Sequence, residues 1–382
     1  LGLPADVFYS DQLMQTFSGG ERVKLQLARL LMSSPTTLLL DEPTNDLDSD
    51  SVLWLENFLL SCKLTVLFVS HDEALLSRAA TSILLLERLH RRQIPRATLY
   101  RMGYDQFYAE RGAAFEKQTR IARKEREDFD AKMERYDTIR RKVERDQNAI
   151  SRQDPHGSRL LKKKMHTVQA MGRRFEREQE NMTAIPEQEE AIFAKLDCAP
   201  LPADKTVLDL SCAELSVGGR TLCRNIFLTV RAREKLCICG HNGVGKSTLL
   251  HLIRDTLKKR ADLRVFYMPQ DAGDLLDFSL SPVELLSPSG EKEDRSRAGI
   301  LLGSMKFTAD EMNHPSAGLS GGQKAKLMFL MMAESGANVL LLDEPTRNLS
   351  PLSGPVIREL LAEYPGCIIT VSHDRRLIQE VC

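Results

Sequence analysis

The chain has 382 residues, room for two or three domains with cores of their own. Lysine plus arginine and aspartate plus glutamate are equal at 53 each, so net charge excludes no class of partner and only the distribution of charge informs. No apolar run approaches the roughly 18 residues that a membrane-spanning helix needs, and Leu1 to Ser10 has neither the basic segment nor the apolar stretch of a secretory signal. The eight cysteines form no CxxC pair, which excludes the common zinc and disulfide frameworks. A cytoplasmic protein is the expectation, with Cys237 and Cys239 read as small buried hydrophobes. A first residue of Leu rather than Met reads as the interior of a longer protein.

In chain order, Phe17-Ser-Gly-Gly20 comes first, then the strand-like Leu38-Leu-Leu-Asp-Glu-Pro-Thr44, then Val69-Ser-His-Asp72. The three return as Leu319-Ser-Gly-Gly322, Leu340-Leu-Leu-Asp-Glu-Pro-Thr346 and Val371-Ser-His-Asp374. From serine to aspartate (18 to 41, 320 to 343) is 23 residues both times, and from aspartate to histidine is 30 both times. Such an ordered repeat predicts two copies of one supersecondary unit.

Between the copies the pattern changes. Phe115, Ala122, Phe129, Tyr136, Val143 and Ile150 recur every seven residues, and after the turn signal Asp154-Pro-His-Gly157 so do Leu161, Val168, Phe175 and Met182. Two heptad seams around a turn predict an antiparallel helical hairpin, its first helix about 40 residues and roughly 60 Å long, with 187–205 as the return linker. Its far end is basic: residues 140–174 hold eleven lysines and arginines against three acids, whereas 116–137 mix both signs. A one-signed tip suits a phosphate backbone.

One element occurs once. Gly240-His-Asn-Gly-Val-Gly-Lys-Ser247 fits GxxxxGK[ST], between a strand-like Lys235–Cys239 and a helix-like stretch from Ser247. In such a loop glycines let backbone N–H groups wrap phosphates, lysine reaches the β and γ phosphates and serine ligates Mg²⁺.

These elements resemble the nucleotide-binding cassettes of the ABC superfamily, and Asp41-Glu-Pro-Thr-Asn-Asp-Leu-Asp48, Tyr100-Arg-Met-Gly-Tyr104 and the hairpin resemble the ABC-F subfamily. The resemblance implies an α/β fold: two P-loop ABC-type cassettes, pairing within one chain and joined by an antiparallel coiled-coil hairpin. The divisions are 1–99 (end of a first cassette lacking its phosphate loop), 100–204 (hairpin) and 205–382 (second cassette to its histidine), a fragment cut at both ends.

The resemblance also implies ATP and Mg²⁺ as cofactors. Gly240, His241, Asn242, Gly243, Val244, Gly245, Lys246, Ser247 and Thr248 would cradle the phosphates. Ser247, Gln270 and Asp343 would serve the metal, Glu344 would be the base for the attacking water, and His373 would contact the γ-phosphate. Ser18, Gly19 and Gly20 would cap the same ATP from the first cassette. Two departures stand out: Val217 sits where the family often has a ring for adenine, and Ser350 in Arg347-Asn-Leu-Ser350 stands opposite Asp48 of the first copy. Family members act on ribosomes, which implies rRNA and tRNA as partners of residues 140–174 and a role in translation or antibiotic resistance. A DNA-associated ABC-F ATPase and, last, a transporter subunit are the competing readings.

Overall fold

A computed structural model describes residues 17, 19–45, 47–89, 94–149, 155–183, 196–199 and 201–382. It divides into two compact units, one of residues 105–188 and one of everything else.

The larger unit opens with α1 (Gly19–Met32), β1 (Thr37–Asp41), α2 (Ser49–Ser61), β2 (Thr65–Val69) and α3 (Glu73–Ala79), followed by the antiparallel pair β3 (Ile83–Leu89) and β4 (Ile94–Tyr100). The smaller unit is built on α4 (Tyr104–Ala149) and α5 (Pro155–Glu180). The chain then returns through the hairpin β5 (Thr206–Val217) and β6 (Arg220–Arg231), β7 (Lys235–Ile238), α6 (Lys246–Leu257) and β8 (Val265–Met268). Three helices follow, α7 (Pro282–Leu286), α8 (Lys292–Ser304) and α9 (Ala309–Asn313), and then α10 (Gly321–Glu334), β9 (Val339–Asp343), α11 (Gly354–Glu363), β10 (Cys367–Val371) and α12 (Arg375–Val381).

The sequence repeat is a structural one. The run α1-β1-α2-β2-α3 matches α10-β9-α11-β10-α12 in order, and four of the five pairs start at corresponding positions, Gly19 and Gly321, Thr37 and Val339, Thr65 and Cys367, Glu73 and Arg375, while α11 starts three residues later than α2 would place it. In the second copy four parallel strands lie in the order β7-β10-β9-β8. Parallel strands covered on both faces must be apolar throughout, which is why Val339-Leu-Leu-Leu342 shows no alternation. Leu340, Leu342 and Ile368 join a core with α10, α11 and α12, while Val339, Leu341, Ile369 and Val371 join another with α6 and the β5–β6 hairpin. The first copy pairs β1 with β2 in the same parallel register, but its equivalent of Leu341, Leu39, is 71% exposed against 0%. Among the described residues the first copy has no counterpart of β7 and α6 to cover that face.

The smaller unit is a two-helix hairpin whose seams meet. Val143, Leu161 and Val168 are buried together, with Tyr136 and Met165 against them, and Phe175 meets Phe129 and Tyr136 edge-on. Glu125 accepts from the backbone N–H (2.7 Å) and hydroxyl (3.0 Å) of Thr183 and so pins the base. The expected turn is shorter than Asp154–Gly157: Pro155 already opens α5, because proline at a first helical position forfeits no helical bond. The first helix has 46 residues, longer than expected, since it starts at Tyr104, well ahead of the first seam residue Phe115. Ile150 and Arg152 lie outside the described residues. Among the described residues no helix is long and apolar enough to cross a membrane.

One expectation needs correction. Cys239 is exposed and Cys237 only half-buried, because β7 is the outer strand of its sheet. Of the described cysteines Cys367, on an inner strand, is the buried one.

Candidate nucleotide site

The phosphate-loop segment bridges β7 and α6. Gly243 and Gly245 hold φ of +81° and +99°, a region that costs an L side chain its comfort, and Gly245 is the N-cap of α6. The amides of the loop and the first turn of α6 therefore converge on one concavity. The Lys246 ammonium bends back over the loop, donating to the Gly240 carbonyl at 2.8 Å and the His241 carbonyl at 3.0 Å. Burial pulls the Lys246 pKa below its ordinary value.

Next to the loop, β9 delivers Asp343 at its C-terminal end, 3% exposed. Burial raises its pKa, opposed by a hydrogen bond from Ser247. Its Oδ1 is buried without a hydrogen-bond partner. A carboxylate oxygen left over beside a serine hydroxyl and a phosphate loop is a donor set of the hard, oxygen-only kind that Mg²⁺ prefers, so these residues fit that ion.

Glu344 follows with φ of +50°, a strained value that turns its side chain off the strand axis. Its backbone N–H donates to Val371 O (2.9 Å), its Oε2 accepts from the His373 N–H (3.3 Å), and Nε2 of His373 stands 3.7 Å from its Oε1. Burial, reinforced by Asp343, lifts the Glu344 carboxyl to about 7 against the opposing His373 N–H. Burial also lowers the His373 pKa, with Lys246 adding to the effect. Asn242, Gly243, Gly245, Lys246, Ser247 and Thr248 line one cavity of about 770 Å³ together with Gln270, Asp343, Glu344 and His373. Gly240 and Val244 lie against one another at its edge, and His241 points outward.

A profile of the ABC transporter family matches residues 3–45 and 223–347. ABC transporter F family member 4 of Arabidopsis thaliana is 32% identical over 385 residues, covering 96% of this chain and 51% of that protein. ATP-binding cassette sub-family F member 3 of Homo sapiens is 31% identical over 381 residues, with 97% and 50% covered. The chain belongs to the F family of ABC proteins. It spans about half the length of these curated relatives. Among solved structures, the archaeal ribosome recycling factor aABCE1, in complex with the archaeal ribosomal stalk protein aP1, superposes with a TM-score of 0.56 at 18% identity, covering 97% of this chain and 61% of that one, a likeness of fold alone.

Within this F-family chain the first copy repeats the second's local geometry. Glu42 has φ of +44°, donates its N–H to Val69 O at 2.9 Å, and accepts from the His71 N–H at 3.3 Å. From the first copy Asp48 reaches the phosphate loop, its Oδ2 2.9 Å from Nδ1 of His241, with Asp50 Oδ2 3.8 Å from Nε2 of the same ring. Burial works against its charge, yet the bonds from Ser51 and His241 hold the Asp48 carboxyl at about 2. Neither Gly19 nor Gly20 lines the cavity around Lys246; Gly20 packs so tightly on Ser51 that an added Cβ would fall 2.0 Å from its Oγ. Ser18 lies outside the described residues. In the second copy, Ser320 caps α10 reciprocally with Gln323, and Ser350 accepts from the Leu352 N–H at 3.3 Å.

Two features escaped the sequence reading. From the β5–β6 hairpin, Arg220 lines the main cavity beside its cross-strand partner Val217, the position already matched to the adenine ring, and Leu222 packs down on Gly245. A Cβ on Gly245 would stand 2.9 Å from Leu222 Cδ1. With the left-handed φ, this predicts that Gly245→Ala weakens binding of a fluorescent ATP analogue by about tenfold or more; undiminished binding would show that this loop is not the nucleotide cradle. The second feature is a group of buried charges joining the two copies, with a signal in the repeat itself: Ser-His-Asp is followed by Glu73 in one copy and by Arg375-Arg376 in the other.

Proposed function

We propose that the chain is the working core of an ATPase that binds ATP with Mg²⁺ at residues 240–248 and acts on the ribosome through its basic hairpin. The observation that carries the first half is the meeting of Lys246, Asp343, Glu344 and His373 in one cavity. Bound Mg²⁺ would neutralise charge on the β and γ phosphates, held through Ser247 and Asp343, with Gln270 beside them at the cavity wall. Lys246 leaves the loop carbonyls for the phosphate oxygens, a better partner for an ammonium. Glu344 takes a proton from the attacking water, a role suited to a carboxyl that titrates near 7. His373, kept neutral by its surroundings, orients the γ-phosphate edge. From the first copy, Asp48 supports the loop through His241, and Ser18, Gly19 and Gly20 would cap the γ-phosphate, as the family resemblance implies.

The second half rests on the hairpin. Lys162, Lys163 and Lys164 are exposed on α5 beside a buried seam, so the chain spends its apolar residues on rigidity and leaves a row of cations outside. Such a tip favours rRNA and tRNA contact by a cytoplasmic translation factor. Its short connection favours that role over the displacement of a ribosome-bound antibiotic.

The test uses the full-length parent carrying Glu42→Gln and Glu344→Gln, which should hold ATP without turning it over. Pelleting with ribosomes is expected only when ATP is present. No pelleting with or without ATP, together with binding to branched DNA, would replace the ribosome with DNA as the target.

A further inference from the structure

The two copies are joined by charges rather than by apolar contact alone. Arg358 of α11, 2% exposed, donates to both carboxylate oxygens of Glu73 on α3 (2.7 and 3.1 Å) and to Glu380 (2.7 Å). Arg376 of α12 also reaches Glu73 at 3.1 Å and bonds Ser77. Arg375, beside it, pairs with Glu56 of α2, which is 0% exposed and also binds Arg78. Glu56, Glu73, Ser77 and Arg78 belong to the first copy; Arg358, Arg375, Arg376 and Glu380 belong to the second.

The location of the group matters more than its size. Asp374 caps α12 by accepting from the Arg376 and Leu377 amides, and His373 immediately precedes it. Asp72 caps α3 in the same way, directly after His71. Each site histidine therefore sits at the mouth of a short helix whose first turn is ion-paired to the opposite copy. Gly354, at the start of α11, has no side chain because the Glu73 carboxylate occupies that space: an added Cβ would lie 1.8 Å from its Oε1. Buried ion pairs gain little over an apolar contact of equal volume. What they supply is direction, since a guanidinium and a carboxylate bond in fixed geometry.

We infer that Glu73, with Arg358 and Arg376, is a positioning group that lets the first copy set the place of His373 against Glu344 in the second. None of the three takes part in the chemistry, and the inference rests on the reading of Glu344 and His373 given above. Separation of the copies removes the anchor from α12, and His373 loses its alignment with Glu344.

The test is made in the full-length parent. Glu73→Gln alone strands the Arg358 charge in a buried place and risks unfolding, so the decisive variant changes both, Glu73→Leu with Arg358→Met, which keeps volume and removes the charges together. The expected result is ATP binding within about twofold of the parent and kcat lower by about tenfold, a split between binding and turnover that a merely structural role would not produce. Parent-like kcat in the folded pair overturns the inference. Should the pair fail to fold, Arg376→Gln at a partly exposed position decides in its place, with kcat about threefold lower expected and an unchanged kcat overturning. Glu344→Gln runs alongside: if turnover survives there, the reading of the site has failed, whatever the pair does.

Discussion

Glu344→Gln in the full-length parent is expected to lower ATP turnover by about 100-fold or more while nucleotide binding persists. The change keeps the shape and both His373 contacts within reach but replaces the carboxylate that accepts the water's proton with a neutral amide. The pH dependence follows from the raised carboxyl. With Glu344 titrating at about 7, the basic form is the minority below neutrality, so kcat should rise as pH increases through 7 and level off above it. Stability should move the other way. Between the ordinary carboxyl value of 4.5 and about 7, the folded state keeps a proton that the unfolded state has released. Raising the pH through that window therefore costs the native protein stability, by up to about 3 kcal/mol at full burial. The glutamine variant has no such cost and should unfold at a higher temperature than the parent at pH 8, while the two converge at pH 4. A pH-independent kcat between 6 and 9, or equal melting at pH 8, would show that Glu344 is already ionised and is not the tuned base.

What the sequence made legible was what depends on local chemistry. The glycines of residues 240–245 announce a loop that wraps phosphate because no other residue takes their backbone angles without strain. The two Leu-Leu-Leu-Asp-Glu runs announce strands ending in acids; β9 is covered on both faces, as such a composition suits, whereas β1 carries the same run with one face exposed. The heptad seams specify the hairpin, down to the burial of Val143, Leu161 and Val168. What stayed hidden depends on distance in space. Glu56 and Arg375 are far apart in sequence, and nothing local says that an acid in the middle of α2 will be fully buried against them. Asp48 and His241 are comparable: the sequence places His241 in the phosphate loop, but nothing local pairs it with an aspartate of the other copy. The misplaced cysteines show the same limit, since an apolar run predicts a strand but not whether that strand is inner or outer.

Replacing Lys162, Lys163 and Lys164 together by glutamine in the full-length parent is expected to weaken ATP-dependent ribosome binding by about tenfold at physiological salt. The size of the effect follows from helix geometry. Successive residues on α5 are separated by about 100°, so three neighbouring lysines sweep about 200°, a little over a half-turn, and no flat phosphate array meets all of them. Two contacts are the realistic loss, and each phosphate contact contributes about 0.7 to 0.9 to the slope of log affinity against log salt. A salt series should therefore show the slope falling by roughly 1.4 to 1.8, with the parent and variant converging at high salt. Because Leu161 and Val168 carry the seam on the opposite side, the hairpin should keep its helicity, and circular dichroism checks that. The control is Lys117→Gln with Lys124→Gln, exposed positions on α4 in the stretch where acids and bases mix. Neighbouring acids already offset those lysines, so the slope there should change by less than half as much. Equal losses for both variants would mean that the ribosome senses only net charge and that the tip has no privileged contact. A loss confined to the tip would place the phosphate backbone against α5, and the salt slope would give the number of phosphates it meets.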